Sequence, residues 1–143
     1  MVDSERLEKV LAPIIAWARW RTDILALALV GSHARDTAGP RSDVDLIVLV
    51  SEPETFRRDK TWLGEIAWGN GTIVIQRDAD YGSAWSRHVE ADNCEFEFTF
   101  AGLAWAATDP IDAGTARVIS GGCRSLIDKT NFFGNLLTAG SHV

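Results

Sequence analysis

Two aspartates, Asp43 and Asp45, stand at the start of an apolar run over 44–50. If this run is a β-strand, side chains two residues apart project from the same face, with their Cα atoms roughly 6–7 Å apart. Carboxylates at this spacing repel one another unless a cation lies between them, and their hard oxygen atoms suit Mg²⁺ or Mn²⁺. The pair therefore indicates a divalent metal site. The alternative is a strand that begins in solvent, where the acids are merely exposed.

A glycine and a serine, Gly31 and Ser32, directly follow an earlier apolar run over 24–30. If the next residues begin a helical turn, its free backbone N–H groups point back at the end of the strand. Such a turn can bind phosphate oxygens, because glycine permits close approach and the serine hydroxyl donates a further hydrogen bond. A Gly-Ser pair is also common in ordinary turns, so its meaning depends on its neighbours.

Two glutamates, Glu95 and Glu97, lie in the run 94–100, which alternates strictly between apolar and polar residues. The two-residue period of a strand places both glutamates on one face and the phenylalanines on the other, which is the core face. On the residues alone, this is an exposed strand face whose acids pair with Lys or Arg across strands.

These residues need a sheet to bring them together, and the chain alternates between strand and helix patterns. Apolar residues recur at helical spacing over 4–19, where Pro13 either bends the helix or moves its start. Continuous apolar runs predict buried strands over 24–30 and 44–50. Further along, we expect a helix or helical turn over 54–63, strands over 72–76 and 85–89, a hairpin turn at 91–93, a short helix within 109–122, a short strand over 124–128 and a helix over 131–137.

In combination, these residues resemble the nucleotidyltransferase domain of the DNA polymerase β superfamily. That family shows the pattern Gly-Ser-x-Ala-Arg-Gly followed by Ser-Asp-x-Asp-Leu. Here the pattern stands as Gly-Ser-His-Ala-Arg-Asp over 31–36 and Ser-Asp-Val-Asp-Leu over 42–46, with Asp36 in place of the usual glycine. The stretch Phe-Glu-Phe-Thr-Phe-Ala over 96–101 is similar to Val-Glu-Phe-Gly-Phe-Ala of small bacterial members, and weaker likeness extends over nearly the whole chain.

The resemblance implies an α/β (α+β) fold: a small, mixed and twisted sheet of about five strands, with helices packed on one face, in a single domain over 1–143. It also implies the site residues. Asp43, Asp45 and Glu97 would be catalytic and hold Mg²⁺ or Mn²⁺ for two-metal-ion catalysis, with Glu97 on a strand beside that of the aspartates and Glu95 as its neighbour or substitute. The nucleotide would be bound by Gly31, Ser32, Arg35 and Ser42, although Arg35 can instead pair with an acid beneath the loop.

The activity that the resemblance implies is transfer of a nucleoside monophosphate, AMP from ATP, to a hydroxyl of a small-molecule or protein acceptor. One alternative is a non-catalytic module of the same fold that binds nucleotide or neutralises a partner, as an antitoxin does. Another is a metal-dependent phosphohydrolase. Relatives that modify antibiotics have an extra helical domain, so we expect that a partner protein or a homodimer closes the pocket, through the apolar helix 132–137.

Composition narrows the class of partner. The chain has 143 residues, 46% of them hydrophobic, and its net charge of -6 and pI of about 5.0 disfavour nucleic acid, which is bound by basic surfaces. No run approaches the roughly 18 apolar residues of a membrane span, and the first residues lack a signal-peptide pattern. We therefore expect a cytoplasmic protein that does not enter membranes.

Overall fold

The computed structural model describes residues 4–31, 33–34, 43–69, 71–106, 113–129 and 131–135. The elements in chain order are α1 (Ser4–Trp20), β1 (Ile24–Val30), β2 (Val44–Val50), α2 (Pro53–Arg58), α3 (Trp62–Glu65), β3 (Ile73–Tyr81), β4 (Ala84–Ala91), β5 (Cys94–Ala101), a 3-10 turn (Leu103–Ala106), α4 (Ala113–Ser120) and β6 (Cys123–Asp128). A further helical turn covers 132–135.

The strands form one mixed sheet in the order β3-β4-β5-β2-β1-β6. Strands β2 and β5 are parallel, and every other neighbouring pair is antiparallel. The predicted α+β fold with a mixed sheet is confirmed. The resemblance implied about five strands, whereas the described residues form six, one for each of the six runs that the sequence patterns predicted as strands.

One face of the sheet is covered by α1, α2 and α3. Helix α1 buries its apolar stripe there, and Pro13 lies inside the helix without ending it. The centre of this core is aromatic: the ring of Trp62 lies 5.5 Å from that of Trp17 and 5.0 Å from that of Phe100. Rings at these separations add packing energy to the area that they bury. This side of the molecule is therefore its main hydrophobic core.

The opposite face carries a smaller apolar cluster. Side chains of β1 and β2 that point this way, such as Ala28 and Ile47, pack with Trp105 of the 3-10 turn, Ile119 of α4 and Phe133 of the last helical turn. The remainder of this face, over β5 and β4, carries polar side chains. We call it the open face, and the predicted carboxylates lie on it.

Local turns explain where elements end. In place of a single helix over 54–63, the chain breaks at Asp59, whose carboxylate accepts hydrogen bonds from the backbone N–H and hydroxyl of Thr61. The predicted turn at 91–93 is confirmed, since Asp92 and Asn93 have φ values of 53° and 60°. Both residue types tolerate the left-handed conformation that a two-residue hairpin turn requires.

Among the described residues, no helix is both long and apolar enough to cross a membrane.

Candidate active site

Asp45 and Glu97 are direct neighbours across the parallel strands β2 and β5. Neighbouring strands lie about 4.8 Å apart, and paired residues project from the same face of the sheet. Both side chains lie on the open face, since the residues on either side of them in sequence are buried in the main core. Alternation along β5 predicted this orientation for Glu97, but only the parallel pairing with β2 places it beside Asp45.

Asp43 lies just before β2. Its carboxyl group interacts mainly with Glu95 and also with Glu97. Burial, followed by the hydrogen bond and the charge of the Glu95 carboxyl, raises the pKa of Asp43 above its usual range. Glu97 adds to this effect, and His88 opposes it. The ionised form of Asp43 is therefore disfavoured, first because its carboxyl group is buried and second because other carboxyl groups lie close to it. A cation at this place would relieve the crowding.

A row of ionisable side chains crosses the open face. In register across β3, β4, β5 and β2 stand Arg77, His88, Glu97 and Asp45. The buried Nε2 of His88 lies 2.7 Å from Oε2 of Glu97, off the line of a hydrogen bond, so the attraction is that of an ion pair when the imidazole is protonated. The sequence alone could not show that His88 lies beside Glu97, because this position depends on the order and register of the strands.

Gly31 fits against Asp45. Its φ of +75° is unfavourable for a residue with a Cβ, and a Cβ there would lie 2.6 Å from Oδ2 of Asp45. Glycine is therefore required at this position both by the turn and by the carboxylate packed on it. Gly31 therefore lies directly against one of the two predicted aspartates, Asp45.

A cavity of about 590 Å³ opens at these residues. Gly31 and Asp45 line one side, Glu97 and Thr99 lie on its floor, and the β3–β4 turn and α4 border the rest. Its size falls in the range of small-molecule sites in proteins. One further lining residue, Arg117 of α4, carries a charge that the sequence did not single out.

Not every predicted site residue can be placed. Ser32, Arg35 and Ser42 lie outside the described residues. Within the described ranges, no group of three or more His, Cys, Asp or Glu side chains is arranged to hold a metal ion as it stands. The structure thus brings Asp45 and Glu97 together beside Gly31, and sets Asp43 next to Glu95 at the same end of the face.

A mixed sheet that carries paired carboxylates next to a glycine turn is the arrangement expected for a nucleotidyltransferase fold. Residues 16–80 match the family model described as "Nucleotidyltransferase domain". This match covers slightly less than half of the chain and includes Gly31, Asp43 and Asp45, but it ends before Glu97. The resemblance drawn from the sequence motif is confirmed.

The structure of an aminoglycoside 6-adenyltransferase from Bacillus subtilis shares the fold. The TM-score is 0.50 at 14% sequence identity, over 69% of this chain and 36% of the adenyltransferase chain. The match therefore spans about a third of that longer protein, and at this identity it concerns the fold alone. Comparison with curated protein sequences gave no significant match.

Proposed function

We propose that the protein is a nucleotidyltransferase that moves a nucleoside monophosphate from a nucleoside triphosphate, with ATP as the proposed donor, to a hydroxyl of a small-molecule or protein acceptor. The observation that carries this proposal is the pairing of Asp45 with Glu97 on the open face, beside Gly31 and at the cavity. The family match and the shared fold support the same class of reaction.

The donor atoms available here fit a divalent metal. Asp43, Asp45 and Glu97 offer carboxylate oxygens, which Mg²⁺ and Mn²⁺ prefer. The pKa of Asp43 is raised by burial and by the Glu95 and Glu97 carboxyl groups, and a bound cation would favour the ionised form. We assign these three residues as the metal-binding set, with Glu95 beside Asp43. When bound, the metal supplies neutralisation of phosphate charge and stabilises the attacking and leaving oxygens.

The residues of the chain would position the reactants and accept the proton. Gly31 lets the phosphates approach the backbone next to Asp45, and Glu97 lies on the side of the row towards β4, where an acceptor can enter. The acceptor oxygen forms a bond to the α-phosphorus while its proton passes to Glu97. The bond from the α-phosphorus to the bridging oxygen breaks, and pyrophosphate leaves with the electron pair. Holding these groups in line is the main contribution of the protein.

Calorimetry of ATP binding with and without Mg²⁺ tests the proposal. We expect wild-type affinity to depend on Mg²⁺, and Asp45→Asn and Glu97→Gln to weaken it at least about tenfold, the smallest loss typical of disturbing a metal shell. Glu5→Gln is the control, since it removes an equal charge from an exposed residue of α1, on the other side of the sheet.

The products separate the alternatives. With ATP labelled on the α-phosphorus and a cell lysate as acceptor source, transfer puts label on an acceptor and releases pyrophosphate, whereas a phosphohydrolase releases inorganic phosphate. Equal ATP affinity with and without Mg²⁺, and no label transferred, would identify a non-catalytic binding module. A wild-type protein that binds no nucleoside triphosphate would overturn the proposal altogether.

A further inference from the structure

Arg117 is the one cationic side chain among the described residues that line the cavity. The charged residues that share the cavity with it are the acids Asp45 and Glu97. A nucleoside triphosphate brings several negative charges into this space, which the carboxylates repel. A fixed cation in the wall is therefore the complement that such a ligand requires.

The chain path places Arg117 on the side of the glycine turn. Helix α4 leads through Gly121 into β6, and the backbone N–H of Gly121 donates to the carbonyl of Arg117 at 3.0 Å. Strand β6 begins with Cys123 opposite Val30, the residue before Gly31. The C-terminal end of α4 thus lies beside the end of β1, where the phosphates are proposed to bind, and away from the β4 side.

The side chain of Arg117 is free to bind a ligand. It is exposed, and it forms no ion pair with any Asp or Glu of the described ranges. Other arginines differ: Arg21 and Arg87, for example, each bind a carboxylate at 2.7–2.9 Å. A guanidinium without an acidic partner, at the rim of an acidic cavity, is an anion-binding group.

Helix α4 is held firmly, so the position of Arg117 is defined. The hydroxyl of Thr115, which is fully buried, donates to the carbonyl of Trp105 at 2.8 Å. Ile119 packs with Trp105 and Phe133 in the apolar cluster of the open face. The opposite wall of the cavity, from Tyr81 to Ala84, carries no charged side chain. The cavity therefore has an anion-binding end at α4 and an uncharged end at the β3–β4 turn.

We propose that Arg117 binds the terminal phosphates of the nucleoside triphosphate, and that the uncharged end of the cavity is left for the acceptor. The inference rests on the proposed function. The planar guanidinium can donate two parallel hydrogen bonds to phosphate oxygens. Arg117 contacts phosphates that leave as pyrophosphate, so it discriminates nucleoside triphosphate from nucleoside monophosphate.

The test measures binding of ATP, AMP and inorganic tripolyphosphate by calorimetry in the presence of Mg²⁺. Tripolyphosphate has no base, so it reports on the phosphate side alone. We expect Arg117→Ala to weaken ATP and tripolyphosphate about 10- to 100-fold, the loss typical of a charge-assisted hydrogen bond, with AMP unchanged. The ATP and tripolyphosphate affinities of Arg117→Lys should lie between those of the wild type and Arg117→Ala, because lysine keeps the positive charge but cannot donate two parallel hydrogen bonds. Arg19→Ala is the control, an exposed arginine on α1 across the sheet.

The outcomes separate this inference from the proposed function. If Arg117→Ala binds ATP and tripolyphosphate as the wild type does, or loses ATP and AMP affinity equally, the inference is overturned while Mg²⁺-dependent ATP binding by the wild type leaves the function standing. If the wild type binds neither ATP nor tripolyphosphate, both are overturned. Thermal unfolding of each variant checks that the exposed substitution leaves the fold intact.

Discussion

At the scale of single residues, the sequence predicted which carboxylates face the site but not what they contact. The spacing of Asp43 and Asp45 and the alternation around Glu97 fix which face of a strand each occupies, whatever the fold. The pairing of Asp43 with Glu95 and the contact of His88 with Glu97 depend on register between strands distant in sequence. Arg117 belongs to no recognised sequence motif, and its position at the cavity follows from the path of the chain past Gly121.

The close packing of Gly31 on Asp45 makes a prediction for stability. Gly31→Ala forces a residue with a Cβ into the left-handed region, at a cost of about 1–2 kcal/mol, and also drives that Cβ against Oδ2 of Asp45. Gly82→Ala should pay only the backbone cost, because its φ is +70° and nothing lies within 4 Å of the added Cβ. Urea unfolding should therefore show the larger loss of free energy of unfolding for Gly31→Ala.

The second half of this test removes the carboxylate. In an Asp45→Ala background, Gly31→Ala and Gly82→Ala should lower the free energy of unfolding equally, because the carboxylate that the added Cβ would meet has been removed. An excess that persists in this background would mean that the carboxylate does not constrain Gly31.

At the scale of elements, the strand patterns were the most informative part of the sequence. The predicted strands over 24–30, 44–50 and 94–100 are observed almost residue for residue. Strict alternation has the period of a strand, and continuous apolar runs of seven residues are shorter than a typical helix. The region 54–63 was harder, since charged residues dominate it and Asp59 ends α2 through a local hydrogen bond. The resemblance implied that the strand of Glu97 lies beside the strand of the aspartates, but the parallel direction of this pair and the order of the other strands were not predicted. The parallel contact of β2 with β5 places Glu97 beside Asp45.

Helix α2 is attached to the sheet through a buried arginine of β4. The Arg87 side chain is fully buried, donates to both carboxylate oxygens of Asp78 on β3, and also donates to the backbone carbonyls of Phe56 and Arg57. Its guanidinium lies over the ring of Trp85 at 4.8 Å. One side chain therefore joins α2, β3 and β4.

This attachment should depend on pH. The hydrogen bond from Arg87 lowers the pKa of Asp78 below its ordinary value of about 4. The ion pair therefore stabilises the fold above pH about 4, and its contribution is lost as the pH falls through the lower pKa of the folded state. Asp78→Asn should cost about 3 kcal/mol at neutral pH, the low end for breaking a buried pair, since a third of the Asp78 side chain is exposed.

Urea unfolding of wild type and Asp78→Asn between pH 7 and pH 3 checks this prediction. The gap in free energy of unfolding should stay constant at the upper end and shrink at the acidic end. Asp80→Asn is the matched control on the same strand, because the Asp80 carboxylate is largely exposed and its ion pair with Arg57 is screened by water. A gap that stays the same at pH 3 would contradict the assigned role of Asp78.

At the scale of the whole molecule, the main hydrophobic core and the candidate site lie on opposite faces of the sheet. The larger aromatic core lies under α1, α2 and α3, whereas the open face carries the carboxylates and a smaller cluster around Phe133. Phe133 is fully buried within its own chain, and its ring lies 6.5 Å from that of Trp105, which lines the cavity. Phe133 belongs to the apolar helix predicted over 131–137, and its side chain packs inside its own chain. The single domain over 1–143 and a partner that closes the pocket both stay predictions.

Paired substitutions on the two faces test this separation. Phe133→Leu and Phe56→Leu each replace a buried ring, and each should lower the free energy of unfolding by about 1 kcal/mol. Only Phe133→Leu should also weaken ATP binding, because it loosens Trp105 and α4 at the cavity. Equal effects of the two variants on ATP affinity would show that the faces are coupled.

The parallel contact between β2 and β5 has a consequence for biosynthesis. While the ribosome is still translating β4, the aspartates and the glycine turn already exist, but the glutamate that faces them has not been made. The acidic pair therefore cannot form until β5 has been synthesised and has paired with β2, by which time five of the six strands have left the ribosome's active centre.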